Sequence, residues 1–474
     1  MIGSQNIPHD ATLPQLADVL NPSKMMEVFQ EEFFPERGRF QIQDCSIERV
    51  KYKPGKNCLL CYQLEIRDRV TQQVGWQRFC TRIFAKGGAI SRFSKAQSQA
   101  VVMPLFGKPV SHIPALDMVI WAFPNDRKLH GLPKITDPIF LKDRMLPGLI
   151  RSTLGPGWSI SELSNEVVHY VPEHTCTVRV CLQLQNAETN RGQAMTLYGK
   201  TYYNEEGREA YHLMEQLWGS EVRRAEYLSM AAPLGYDPET KTLWQLGLPG
   251  RTLLDQEMNA PHFLTLLGGV ASTVAALHQT SVSCSRSVQL GDLLVKLEEM
   301  KRLLPQAWPS CQGMLHPLVD RLILQAGDLK EQPVAILHGD LHFENLFVDG
   351  EKVFLIDMDN LCHGAPLQDI GSFLAGLLYR GTLTQVSGQL IERIGDVFIQ
   401  QYEKRVPWTI SRSELKWYIA TALINERAFR CVTRLKAGRR DILDHLIRLA
   451  DRISLEWNEN GFSLSRGDKD GNIL

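Results

Sequence analysis

The stretch Val334-Ala335-Ile336-Leu337-His338-Gly339-Asp340-Leu341-His342-Phe343-Glu344-Asn345-Leu346-Phe347-Val348, continued across Asp349-Gly350 into Val353-Phe354-Leu355-Ile356-Asp357-Met358-Asp359, decides how this chain is read. One apolar run leads into a turn, a second leaves it, and Asp349-Gly350 is a hairpin signal that carries the chain into a third run ending on Asp357. Gly, Asp and Asn also cluster at ordinary turns. Here, however, strand, loop, hairpin and strand follow in the order that would gather Asp340, Asn345 and Asp357 around one turn and one strand end. Two carboxylates and an amide are hard oxygen donors of the kind Mg2+ accepts. A loose, highly charged phosphoryl-transfer transition state asks mainly for alignment of the nucleophile and neutralisation by a cation. The pattern therefore assigns Asp340 to orient a substrate hydroxyl and accept its proton. Asn345 and Asp357 are assigned to the metal that bridges nucleotide phosphates, and Asp359 to a further metal ligand or an orienter of one.

These residues resemble the catalytic loop and metal strand of the aminoglycoside phosphotransferase and choline kinase-like superfamily, which read His-Gly-Asp with a downstream Asn, and Ile-Asp. The resemblance implies an α+β, protein kinase-like bilobal fold with a small mixed β/α N-lobe and a mainly helical C-lobe. It further implies ATP and Mg2+ as cofactors, Asp340 as catalytic base, and Asn345 and Asp357 on the metal. Asp369, in Asp369-Ile370-Gly371-Ser372-Phe373, matches an Asp at the start of a family helix and is read as its N-cap. The His-Arg-Asp and Asp-Phe-Gly motifs of eukaryotic protein kinases do not occur, nor does Gly-x-x-x-x-Gly-Lys-Ser/Thr. The expected acceptor is thus a small-molecule hydroxyl, of the aminoglycoside, sugar, choline or hydroxy amino acid type. A pseudokinase-like binding protein with little catalysis is the alternative, disfavoured because every core residue is present.

Upstream, Val167-Val168-His169-Tyr170, Cys176 to Leu184 and Met195 to Tyr202 read as three strands of the N-lobe. Lys200 on the third strand is the candidate partner of the nucleotide phosphates. Its acidic partner is sought among Glu205, Glu209, Glu215 and Glu221, with Glu215 the weak choice, on a helix whose Leu213 and Leu217 form an apolar stripe. Leu243 to Gly250 resembles the strand and hinge between lobes, where Gln245, Leu246 and Gly247 would meet the adenine. Helical spacing recurs over Phe263 to Gln279, Leu290 to Ala326 and Leu415 to Trp457, and the tail from Ser463 is polar. His278 near a helix end is read as structural.

The first 154 residues repeat part of this lobe. Tyr52-Lys53-Pro54-Gly55-Lys56-Asn57-Cys58 parallels Tyr170-Val171-Pro172-Glu173-His174-Thr175-Cys176, and Arg82 falls opposite Lys200, all at one offset of 118 (52 to 170, 58 to 176, 82 to 200). No second His-Gly-Asp loop accompanies the first copy, and Arg is no neutral substitute for Lys at a phosphate site. The expected organisation is residues 1–154 as an extra N-lobe-like cap or interaction domain, 155–250 as the kinase-like N-lobe, 251–462 as the helical C-lobe, and 463–474 as a flexible tail. The layout is similar to that of bacterial maltokinases, and homodimerisation through the extra domain is expected.

Composition bounds the rest. The 474 residues are 44% hydrophobic and 22% charged with a net charge of −1, which suits a globular chain of two or three domains and gives no global attraction to nucleic acid or anionic membranes. The opening residues lack the basic and apolar regions of a signal peptide, and no run is long enough to span a bilayer. A cytoplasmic location without membrane or nucleic-acid partners is the expectation. Ten scattered cysteines read as reduced thiols; the lone Cys58-x-x-Cys61 pair has no second pair to complete a zinc site.

Overall fold

Strands with alternating apolar residues build two five-stranded sheets of the same topology. The computed structural model describes residues 7–34, 38–99, 101–435 and 438–457. The first sheet contains β1 (Phe40–Lys53), β2 (Asn57–Asp68), β3 (Val74–Phe84), β4 (Val110–Ile113) and β5 (Met118–Ala122), in the order β1-β2-β3-β5-β4. The second contains β6 (Trp158–Val171), β7 (Thr175–Asn186), β8 (Gly192–Tyr202), β9 (Pro233–Asp237) and β10 (Thr242–Leu246), in the order β6-β7-β8-β10-β9. In each, a three-stranded meander is followed by a helix (Ile90–Gln97, Glu206–Trp218) and a reversed pair.

The parallel extends to register. Tyr52 faces Cys58 and Leu59 faces Arg82 in the first sheet, while Tyr170 faces Cys176 and Thr177 faces Lys200 in the second. Register breaks at Ile42/Asp44 and at Ile160/Glu162 keep the offset of 118. The hairpin turns use left-handed residues at matching positions, Gly55 at φ +66° and Glu173 at φ +62°. Gly accepts that backbone freely, whereas a glutamate held there needs tertiary support.

Both sheets lie in one compact unit comprising Met1–Gly207, Leu234–Trp244 and Val432–Arg439. They share a core in which Cys61 and Cys80 of the first sheet meet Cys176, Val178 and Val180 of the second, closed by Leu129, Leu132, Leu141 and Leu146 from the segment that links the sheets. Side chains alternate along strands, so Arg82 lies on the same face as Cys80, towards the second sheet. Lys200 is paired with Thr177 and therefore lies on the opposite face of its sheet from Cys176 and Val178. Cys58 and Cys61 are both buried free thiols.

The second unit comprises Arg208–Pro233, Gln245–Cys431 and Arg440–Leu474 and is mainly helical. The expected helix from Phe263 is present as Phe263–His278. The periodic run from Leu290 is interrupted by Pro309 into Leu290–Ala307 and Gln312–Gln325, and the run from Leu415 divides into Arg412–Ala422, a wide turn at Leu423–Ala428, Phe429–Thr433 and Arg439–Leu455. The tail from Ser463 lies outside the described residues. Among the described residues no helix is long and apolar enough to cross a membrane. Two small sheets carry the motif region: β11 (Arg251–Thr252), β13 (Leu346–Asp349) and β14 (Lys352–Leu355) in the order β11-β13-β14, and β12 (Ala335–Leu337) beside β15 (Cys362–Gly364). Asp349-Gly350 is the hairpin turn between β13 and β14, with Gly350 at φ +59°.

Helices Pro366–Thr384 and Arg412–Ala422 approach closely at Gly371, where an added Cβ would stand 2.7 Å from Tyr418 Cβ and 2.9 Å from its carbonyl carbon. The obstacle is partly backbone and cannot rotate away. Gly371→Ala is expected to lower stability by about 1–3 kcal/mol, as overpacking does, read as a lower urea midpoint; an unchanged midpoint would mean the helices separate without strain.

Candidate active site

A buried carboxylate holds the His338-Gly339-Asp340 loop. Asp369, 2% exposed, accepts from His338 N at 2.6 Å and Gly339 N at 3.1 Å, and lies 3.1 Å from His278 Nε2. His278 Nδ1 is 2.7 Å from Tyr402 Oη, which gives this histidine the structural place expected of it. Asp369 is not the N-cap read from sequence: the cap of its helix is Ala365, and Asp369 stands in the first turn. Its oxygens serve the loop after β12 because β12 and this helix pack together, which a local reading of the helix start does not reveal.

The loop's conformation is exacting. Gly339 has φ +75°, and a Cβ there would meet Asn360 O at 2.2 Å, so only glycine fits. His338 Nε2 donates to Ile356 O at 2.8 Å, tying the loop to the end of β14. Ile356 N donates to Asn345 O at 3.1 Å. The residue after Ile356 is Asp357, in the left-handed region at φ +60°. Asn345 Nδ2 donates to Asp340 O at 2.9 Å, which turns its Oδ1 away from that carbonyl. Asn345 is thus hydrogen-bonded to the Asp340 carbonyl on one side and to Ile356, the residue before Asp357, on the other. Asp359 follows in the turn Met358–Asn360, its carbonyl accepting from Arg286. An amide oxygen and carboxylates fit a small hard cation completed by phosphate oxygens.

Two further residues act on Asp340. His342 Nδ1 accepts from Glu344 N at 3.2 Å, so Nε2 carries the proton; it lies 3.4 Å from Asp340 Oδ2. Arg430 Nη2 lies 3.4 Å from Asp340 Oδ1. Burial by itself pushes the Asp340 carboxyl up, but the hydrogen bond and charge of His342, then Arg430 and His338, overcome it and hold the carboxyl below the usual carboxylate range. The group stays ionised. Arg430 stands 90 residues from Asp340 in sequence, and no local pattern announces the contact.

The other expected residues lie as follows. Lys200 is on β8 in the first unit, its Nζ 5.5 Å from the Tyr202 ring centre. The chain passes from first unit to second between Trp244 and Gln245, so Gln245 and Leu246 end β10 and Gly247 follows it. Glu215 bonds within its own helix, to Tyr211 Oη at 2.7 Å, and Glu205 pairs with Lys241 at 3.2 Å.

Removing the Asp369 carboxylate would strand two buried N–H groups and an imidazole. Asp369→Ala is expected to cost roughly 3 kcal/mol or more, measured by denaturant unfolding without ligands; a loss within experimental error would show that the loop does not depend on it.

Residues 193–406 match the phosphotransferase enzyme family. No curated protein matches the chain. Among solved structures, it is similar to a thermostable mutant of the aminoglycoside phosphotransferase APH(4)-Ia at 15% identity, covering 66% of this chain and 99% of that one with a TM-score of 0.43. It is also similar to the amicoumacin kinase hAmiN, solved with AMP-PNP, Ca2+ and Ami, at 12% identity, 60% and 88% coverage and a TM-score of 0.44. A third is the aminoglycoside phosphotransferase APH(3'')-Id from Streptomyces rimosus, at 15% identity, 58% and 95% coverage and a TM-score of 0.37. The loop motif and the family match agree over the same segment, so residues 193–406 of this chain are similar to the phosphotransferase enzyme family.

Proposed function

We propose that this protein is an ATP- and Mg2+-dependent phosphotransferase that phosphorylates a hydroxyl of a small molecule. The observation that supports the proposal is that Asn345 bridges the Asp340 carbonyl and Ile356, the residue before Asp357, while His342 and Arg430 hold Asp340 ionised. Asp340 would orient the acceptor hydroxyl through its carboxylate and take its proton as the new O–P bond forms and the bond from the transferred phosphorus to the departing ADP breaks. Its depressed pKa suits orientation more than outright abstraction, which a loose transition state tolerates because the hydroxyl loses its proton late. Arg430 and His342 keep the carboxylate charged and fix its direction.

Asn345 Oδ1 and the Asp357 carboxylate would hold Mg2+, with Asp359 beside them; the cation would supply neutralisation of phosphate charge. Lys200 is proposed to bind phosphate oxygens. The backbone of Gln245 to Gly247 is proposed to receive the adenine; within it Leu246 N donates to Ala232 O at 2.9 Å. Residues 1–154 are proposed as a cap whose Arg82 face is committed to the neighbouring sheet, 155–250 as the nucleotide-binding lobe and 251–462 as the catalytic lobe.

Asp340→Asn should reduce ADP release in the presence of a competent acceptor by about 10²- to 10⁴-fold while nucleotide affinity, measured by calorimetry, stays within about twofold. Full turnover in that variant would remove Asp340 from the mechanism. The Arg430 charge yields a second expectation. In the wild-type protein the base form of Asp340 persists below the ordinary carboxylate range, so the acid limb of kcat/KM lies at low pH. Arg430→Ala raises the carboxyl pKa, and that limb should move to higher pH; a limb that stays in place would exclude electrostatic control by Arg430.

A further inference from the structure

A cleft of about 340 Å³ opens beside the Arg82 face of the first sheet, its other wall formed by the turn Pro172-Glu173-His174 and by Tyr203. The lining is cationic: Lys51 and Lys53 of β1, Arg82 of β3, and Arg127 and Lys128 after β5, against the single carboxylate of Glu173. That carboxylate is already engaged. It accepts from Arg82 Nε at 3.1 Å and Nη2 at 2.9 Å, and from Arg127 Nη2. Among the described residues no carboxylate lies within ion-pair distance of Lys51, Lys53 or Lys128, and the Lys128 ammonium sits 4.4 Å from the centre of the Tyr203 ring.

Five cations thus share one anion in a concave space. Burial first, then Lys53 and Arg82, lower the Lys51 pKa, and burial and then Lys51 lower that of His174. Like charges crowded around one cleft repel one another, and an anion placed among them relieves that repulsion. The guanidiniums are prepositioned as well, because Arg82 Nη1 donates to Asn57 Oδ1 at 3.0 Å while its other nitrogens hold Glu173. Lys200 is not part of the lining and lies on the face of its sheet away from the shared core, although its charge reaches His174 at the rim.

We propose that this cleft binds a compact polyanion, a ligand carrying a chain of two or three phosphate groups. The site belongs to the repeated lobe, at the position where its Arg82 replaces the lysine of the second copy, and it stands independently of the phosphotransferase reading. Inorganic polyphosphate and the triphosphate of a nucleotide share the required chemistry.

The test is isothermal titration of the full chain with inorganic tripolyphosphate, in the wild type and in Lys200→Ala, which weakens the proposed nucleotide site. A binding event should persist in Lys200→Ala and weaken by about tenfold or more when Lys53→Ala and Lys128→Ala are added to it. Lys53 is exposed and Lys128 half-buried, and an unchanged thermal midpoint will establish that the variants fold; Lys53→Gln with Lys128→Gln serves if the alanines do not. Titrating ATP into the same Lys200→Ala background separates the two sources, tighter binding of ATP indicating a nucleotide and tighter binding of tripolyphosphate an inorganic chain. No binding in Lys200→Ala, or binding indifferent to Lys53 and Lys128, overturns the proposal.

Discussion

The Asp369 carboxylate is the constraint on which the His338-Gly339-Asp340 loop depends. A loop that leaves a strand exposes backbone N–H groups, and those of His338 and Gly339 both point at the buried Asp369 carboxylate. Asp369 satisfies both and shares its remaining capacity with His278, itself held by Tyr402. Four segments distant in sequence are fastened at one point. The positive φ of Gly339 and its contact with Asn360 follow from that fastening, and the direction of Asp340 follows in turn. A charged acceptor makes stronger bonds to N–H groups than a neutral one, and burial gives those bonds weight.

The two sheets of the first unit illustrate how one topology takes two roles. Strand order, register, bulge position and turn conformation repeat, yet Lys200 and Arg82 occupy different surroundings. Arg82 faces a sheet of the same chain, where a planar guanidinium forms a two-pronged bond with Glu173 that a lysine ammonium could not reproduce. Glu173 in turn occupies the left-handed turn position that glycine fills in the first copy. The ion pair supplies the support that a non-glycine residue at φ +62° requires, and it fastens the turn of one sheet to the strand of the other.

The electrostatics of Asp340 come from three directions. Burial favours the neutral acid, and His342 and Arg430 reverse that preference. His342 is a near neighbour in sequence, but its part depends on which ring nitrogen carries the proton, and that is set by Glu344 N. Arg430 stands just past a π-helical turn, Leu423–Ala428, within the helical run from Arg412 to Thr433, and that turn shifts the residues after it away from regular 3.6-residue spacing.

Much of this was legible beforehand because it is local. Alternation gave the strands, Asp349-Gly350 the hairpin, 3.6-residue periodicity the helix from Phe263, and a constant offset the repeat of Tyr52, Cys58 and Arg82 in Tyr170, Cys176 and Lys200. Asp340, Asn345 and Asp357 could be singled out because their chemistry and spacing sit within a single loop and hairpin. The role of Asp369, the arrival of Arg430 and the pairing of Arg82 with Glu173 could not, since each joins residues tens of positions apart whose meeting depends on how helices and sheets pack. Sequence determined which side chains could perform the chemistry and which backbone segments would carry them. Tertiary structure alone decided which partners each charge would meet, because the strength of a buried charge is set by neighbours brought in through packing and not by those adjacent in the chain.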